Sequence, residues 1–353
     1  MSMIRIGVIG AGNIGNVHMT IFSALEEAQI IAVTDTFKAL ADKRAQEYGI
    51  QKVYETPEEL IDDPDIDAVI VCVPNKWHAP LAIRAMQAGK HVLLEKPMGI
   101  DAASAKSIMQ AQQETGKVLM VSHQMRWEWM ARQVKEQVDK GALGSIYNAK
   151  AGWFRRKGIP GWGTWFTQKS ESGGGPLIDI GVHLLDLSLY LMGNPKPVSV
   201  YGSTYAEFGP KKRGIGTWGT PNWSGYYDVE DLATALIKMD NGATLSLEVS
   251  WAVHMDTDSG SFIHLMGTEG GVSMHGGKGK LLTEQFDRAV DVDLVKPDHP
   301  EDERTLMSKH FIDCIVHGKQ PLTSALTGYT NNLILEAIYE SSRTGNEVKL
   351  VWD

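Results

Sequence analysis

Hydrophobic residues in the first third of the chain come in short runs separated by longer amphipathic stretches. Apolar runs at 3–9, 29–34, 68–73, 91–94 and 118–122 read as strands, and the stretches at 13–25, 37–48, 76–88 and 101–114 as helices. This alternation predicts a doubly wound α/β half, because a parallel strand needs a helical crossover to bring the chain back. Tyr48-Gly49, Ala88-Gly89 and Thr115-Gly116 fit left-handed caps at three helix ends. After a helix predicted over 129–140 the period changes. Long alternating runs at 145–155, 197–208, 228–240, 243–253 and 261–267 suit an antiparallel or mixed sheet, with Asp240-Asn241-Gly242 as a hairpin turn. Helices are predicted at 302–317 and 325–343, before a short strand at 348–351.

The first strand carries the most specific chemistry. Ile4-Arg5-Ile6-Gly7-Val8-Ile9 leads into Gly10-Ala11-Gly12-Asn13-Ile14-Gly15, and Asp35 follows at the end of the next apolar run. Glycines let a backbone approach a pyrophosphate, and the N-terminus of the following helix offers free N–H groups and a positive dipole end. A glycine turn alone joins many strands to many helices. Here it follows a strand, opens a helix and has its acidic partner at the expected distance, so a dinucleotide is predicted. Asp35 is placed to accept hydrogen bonds from adenosine ribose hydroxyls and to repel a 2′-phosphate, which favours NAD over NADP.

Size and charge narrow the class. A chain of 353 residues exceeds what one hydrophobic core usually serves, so two domains are expected. The net charge of −9 argues against nucleic acid and anionic membranes, and Arg155-Arg156-Lys157 and Lys211-Lys212-Arg213 are too short to reverse it. Cys72 and Cys314 have neither a disulfide pattern nor a metal-binding spacing, so a reducing, cytoplasmic setting and no metal are expected. No apolar run approaches the length of a membrane span, and the N-terminal run lacks a cleavage-type segment, so the mature chain is expected to begin at its start.

Three further motifs carry chemistry. Glu95-Lys96-Pro97 follows the run at 91–94, and ligands of open α/β sheets bind beyond the carboxyl ends of strands, so Lys96 is expected to face the cofactor crevice. Gly173-Gly174-Gly175-Pro176 opens a helix on which Asp179 and His183 lie four apart, with Asp186 and Tyr190 extending the stripe. The rest of that helix is almost wholly apolar, so the pair is expected in a sheltered cleft, the carboxylate orienting the imidazole. Pro74-Asn75-Lys76-Trp77-His78 follows the run at 68–73. Asn75 is placed to touch the cofactor there, the alternative being a helix N-cap and a packed first-turn histidine. With Asn13, Ile14, Pro74, His78, Glu95, Lys96 and Gln124, these residues complete the expected cofactor contacts.

Together and in order along the chain, these motifs resemble the Gfo/Idh/MocA oxidoreductases, which include inositol dehydrogenases and glucose-fructose oxidoreductase. The resemblance implies a Rossmann domain over residues 1–123 and an α/β domain over 124–353. The large open, mostly antiparallel sheet of the second commonly forms a dimer or tetramer contact. It also implies that Lys96, Asp179 and His183 are catalytic. Oxidising a secondary alcohol needs a base for the hydroxyl proton while hydride leaves the same carbon. A histidine, with an ordinary pKa of about 6.5, suits that work near neutral pH. His183 is the expected base, Asp179 holds its tautomer, and Lys96 donates to the substrate oxygen.

Seven of the ten tryptophans fall between Trp127 and Trp223. Flat aromatic faces pack on sugar C–H faces, and arginines give fixed donors to hydroxyl or carboxylate oxygens. Trp153, Arg126 and Arg156 are therefore expected to touch substrate together with Lys96, Asp179 and His183. The family resemblance points to sugars, cyclitols and their glycosides. Two other readings are an NAD-dependent glycosidase that oxidises a sugar transiently and returns the hydride, and a dinucleotide-binding regulator without turnover.

Overall fold

The computed structural model describes residues 3–257 and 259–352. The chain divides into two compact units, one holding the chain up to Gln124 with Glu301–Asn332, the other Met125–Pro300 with the chain from Leu333. The expected contiguous second domain is thus interrupted, because the segment from Glu301 to Asn332 groups with the first unit.

In the first unit six parallel strands take the order β3-β2-β1-β4-β5-β6: β1 Ile4–Ile9, β2 Ala28–Thr34, β3 Lys52–Tyr54, β4 Ala68–Val71, β5 His91–Leu94 and β6 Leu119–Val121. Helices cross between them: α1 Asn13–Phe22, α2 Lys38–Tyr48, α3 Pro57–Asp62, α4 His78–Gln87 and α5 Ala102–Thr115. Strands buried on both faces read as continuous apolar runs, which is why Ile6, Val8 and all of Ala68–Val71 are inaccessible to solvent. Gly49, Gly89 and Gly116 all take the left-handed conformation expected of them. The strand order reverses between β1 and β4, the switch point beside which ligands bind in such sheets.

In the second unit α6 Trp129–Asp139 precedes a nine-stranded sheet of order β14-β13-β12-β11-β7-β10-β9-β8-β15. Its strands are β7 Ile146–Phe154, β8 Pro197–Tyr205, β9 Leu232–Met239, β10 Thr244–Ser250, β11 Ser261–Gly267, β12 Gly271–His275, β13 Lys278–Gln285, β14 Arg288–Asp293 and β15 Val348–Lys349. The β7/β10 pair runs parallel and the other pairs antiparallel. The turn at Asp240-Asn241-Gly242 closes the β9/β10 hairpin, with Met239 N donating to Ala243 O at 2.9 Å. Between strands lie α7 Lys169–Ser172 and α8 Val182–Leu191. At the far end of the chain come α9 Glu303–His317 and α10 Ala325–Thr344. Alternate residues of β9 and β10, including Ile237, Leu245 and Val249, share one core with Leu184 and Leu187 of α8 and Ile334 and Ile338 of α10. The opposite face shows Tyr147, Tyr201, Tyr205 and Leu236, each about half exposed. Among the described residues, no helix is long and apolar enough to cross a membrane.

Candidate active site

The first unit builds a dinucleotide cradle from its glycines. Gly10 has φ +99°, and a Cβ there would stand 2.2 Å from the Cys72 carbonyl oxygen; one on Gly15 would stand 1.9 Å from the Gly10 oxygen. Both positions are closed to any other residue, and they bring β1, β4 and the start of α1 into close packing. Gly12 is different: nothing lies within 4 Å of its would-be Cβ, and it precedes α1 without a side-chain cap. Open space in front of uncapped helical N–H groups is what a pyrophosphate requires. Asn13 and Ile14 form the first turn of α1. Asp35 is held by both oxygens, Oδ2 accepting from Ala11 N and Oδ1 from Phe37 N, each at 2.8 Å. These residues fit NAD. Replacing Asp35 with Ser is expected to narrow the preference for NAD over NADP by roughly tenfold or more, read as the ratio of kcat/KM values, because the like-charge repulsion is removed.

Lys96 follows β5 on a turn gripped from two sides. His18, wholly buried on α1, places Nε2 2.8 Å from Glu95 Oε1, and the backbone N–H of Lys96 donates to Glu95 Oε2 at 3.3 Å. His78 lies between the carbonyl oxygens of Pro97 and Val73, its ring nitrogens 2.7 and 3.0 Å away. It is buried and welds the turn after β4 to the Lys96 turn, the packed role set out above as its alternative. Burial lowers its pKa, against the pull of those two carbonyls. The Lys96–Pro97 peptide is cis, and the Lys96 side chain is half-buried. Pro74 is half-buried, Asn75 is buried in the 3₁₀ turn Asn75–Trp77, and Gln124 opens the turn Gln124–Trp127.

Burial alone would raise the pKa of Glu95, yet the His18 hydrogen bond and the charges of His18, Arg304 and Lys96 bring it well below the carboxylate range. A depressed folded-state pKa stabilises above the unfolded value of about 4.3 and loses that contribution as pH falls towards the folded one. Glu95→Gln is therefore expected to flatten the decline of Tm between about pH 5 and pH 3.

In the second unit the helix after Gly173-Gly174-Gly175 differs from expectation. Leu177–Gly181 forms a π-helical turn before α8 begins, so Asp179 sits in the wide turn and His183 in the first turn of the α-helix. Such turns concentrate at functional sites. At the start of this turn Glu230, a buried carboxylate, accepts from the N–H groups of Gly175 and Leu177 and from the Tyr339 hydroxyl, all at 3.0 Å. Burial pushes its pKa up against those bonds. Gly175 is required there because a Cβ would stand 2.1 Å from the Glu230 carbonyl oxygen. Asp179 is half-buried, and its Oδ2 accepts from the Trp251 indole N–H at 3.0 Å. His183 is 8% exposed, with Val182, Leu184 and Leu185 beside it on its helix.

The rest of the expected polar stripe has another task. Asp186 takes a two-pronged salt bridge from Arg126, at 2.7 Å to Nε and 2.8 Å to Nη2, with both side chains buried. The guanidinium lies 4.6 Å from the centre of the Tyr190 ring. Arg126, expected among substrate contacts, makes this buried pair. Trp153 donates from its indole to Ser259 O at 2.9 Å, and Arg155 stacks over its ring at 4.7 Å. Arg156 is exposed, whereas Arg155 is half-buried; burial lowers its pKa and the Asp179 charge opposes that.

Residues 4–123 match the model of the Gfo/Idh/MocA oxidoreductase family with its NAD-binding Rossmann fold, and residues 131–273 match the family's C-terminal domain. The chain belongs to this family. It is 32% identical to a D-glucoside 3-dehydrogenase of Escherichia coli, across 99% of this chain and 98% of that one. It is 28% identical to an NAD-dependent scyllo-inositol 2-dehydrogenase of Bacillus subtilis, across 98% and 96%. A levoglucosan dehydrogenase solved with NADH and levoglucosan superposes with a TM-score of 0.88 at 25% identity, across 99% of this chain and 100% of that one. The protein is accordingly an oxidoreductase that binds NAD through its first unit.

Proposed function

We propose that this oxidoreductase acts on a secondary hydroxyl of a sugar, cyclitol or glycoside, or in reverse on the corresponding ketone, with Lys96, Asp179 and His183 as its reacting groups. The observation that carries the reading is a carboxylate and an imidazole four residues apart on a largely apolar, buried helical stretch, in a chain that also has an NAD cradle. Bound NAD supplies the hydride acceptor. His183 takes the hydroxyl proton. Asp179, anchored by Trp251, orients the imidazole and favours its charged form. Lys96 donates a hydrogen bond to the substrate oxygen and stabilises alkoxide character. Arg155, rather than Arg126, is the arginine offered to substrate oxygens.

The named activities of the relatives support this substrate class. The half-exposed aromatic and aliphatic residues on the open sheet face support a homodimer or homotetramer built through that face, and the pair of unlinked cysteines a cytoplasmic setting. A panel of polyols, aldoses and glycosides assayed for NADH and NADPH formation tests the reading. NADH formation with at least one member is expected. Cleaved glycoside without net NADH moves the assignment to a redox-assisted glycosidase, and no reaction with any member leaves a dinucleotide-binding regulator.

A further inference from the structure

The chain between β7 and β10 carries two loop segments that no step above uses, and they are built as one rigid lobe. Segment 158–163 pairs with segment 214–225: Ile159 N donates to Gly214 O, Gly216 N to Ile159 O, Gly161 N to Trp218 O and Asn222 N to Trp162 O, at 2.7–2.9 Å. The backbones meet so closely that a Cβ on Gly163 would stand 2.0 Å from Asn222 O. Trp162 anchors the interior, buried with its indole donating to Gly209 O at 2.8 Å.

The lobe turns aromatic faces outward. Just after segment 158–163, Trp165 stacks on Phe166 with ring centres 3.8 Å apart, and Phe166 and Trp218 meet edge to face at 4.8 Å. Trp218 remains 47% exposed and Trp223 58%. Large rigid aromatics left in water on glycine-locked loops are costly unless something covers them. The set amounts to a few side chains, far short of the roughly 20–30 residues a side of a stable protein interface.

The lobe is also rooted in the candidate site. A Cβ on Gly158 would stand 3.2 Å from the backbone oxygen of Trp251, whose indole holds Asp179. Beyond segment 214–225 in the chain, Glu230 grips the N–H groups that open the helix of Asp179 and His183. We infer that this lobe is a second saccharide subsite, in which Trp165, Phe166 and Trp218 stack on the sugar ring or aglycone next to the ring that reacts, so that the substrate is a glycoside rather than a free monosaccharide. The inference rests on the sugar-dehydrogenase reading above and goes further by naming the part of the substrate beyond the reacting ring.

Calorimetric titration of the NADH-loaded protein with D-glucose and with the disaccharides cellobiose, maltose and trehalose tests it. At least one disaccharide is expected to bind several-fold more tightly than glucose. Trp218→Ala and Trp165→Ala are each expected to weaken that disaccharide by roughly 3- to 10-fold relative to glucose, and Trp218→Phe to keep part of the advantage. Equal binding of disaccharides and glucose, no binding of any of the four sugars, or variants that keep the advantage would overturn the subsite. Dissociation of the Trp218→Ala protein into smaller species in sedimentation would overturn it too, by assigning the aromatic face to a second copy. A disaccharide advantage lost in the variants, but with no NADH formed from any sugar in the NAD-loaded protein, keeps the subsite and rejects the dehydrogenase reading.

Discussion

His183→Ala is expected to lower kcat by roughly 10²- to 10⁴-fold while NAD binding changes little. The reason lies in what the helix offers. Around α8 the other buried residues are Val182, Leu184, Leu185, Asp186, Leu187, Ser188, Leu189 and Leu191, and Asp186 is held by Arg126, so nothing else in its first turn can accept a proton near neutral pH. Alanine keeps the helix, being its best former, so the loss reads as chemistry and not as unfolding. A base that works in the transition state appears in kcat more than in KM. The rise of wild-type rate with pH, as a histidine loses its proton, should vanish with the side chain. Lys96→Ala is expected to cost turnover comparably while retaining that rise, because the base survives and only the donor to the developing alkoxide is lost. Wild-type-like turnover in His183→Ala would remove the histidine from its role and leave Lys96 as the candidate proton acceptor.

How much of this was legible depended on where each signal sits. The parallel strands of the first unit declare themselves because burial on both faces demands unbroken apolar runs. β3, three half-buried residues at a sheet edge, has no such run. α3 went unpredicted although Thr56, Pro57 and Glu59 form a capping box with proline in the first turn, a signal present in the sequence and stronger than its length. β14 is an exposed edge strand and β13 its neighbour, both rich in charge, which suits an unpaired edge and erases alternation. In the site, Asp179 and His183 were readable from spacing, but the π-helical turn was not. Its first N–H, that of Leu177, is held by Glu230, 53 residues away in sequence. Arg155 and Arg156 are indistinguishable by type. Arg155 is half-buried over the Trp153 ring, its N–H continuing the β7 pairing through Ser250 O at 3.0 Å, whereas Arg156 is exposed. His18 was missed too, though a histidine on the same buried face as Met19 and Phe22 signals a partner inside, and that partner is Glu95.

Asp186→Ala is expected to destabilise the second unit by about 3–5 kcal/mol, measured by urea unfolding, because it strands the Arg126 guanidinium in the interior. The two side chains are 2% and 1% exposed, so water cannot take over the lost contacts. The cost comes from an uncompensated charge and not from the net worth of the bridge. The double variant Arg126→Met, Asp186→Leu should therefore recover most of the loss, since apolar replacement of both partners removes desolvation along with attraction. Asp186→Asn should fall between, keeping shape and an acceptor oxygen while surrendering charge. The same series separates the two roles open to Arg126. As a strut between the turn at Gln124–Trp127 and α8, it changes stability in the single variant and returns activity with stability in the double one. As a substrate group, it would leave the double variant stable but with a raised KM. Stability restored together with KM would place Arg126 wholly in the architecture of the helix that carries His183, and leave Arg155 as the arginine for substrate.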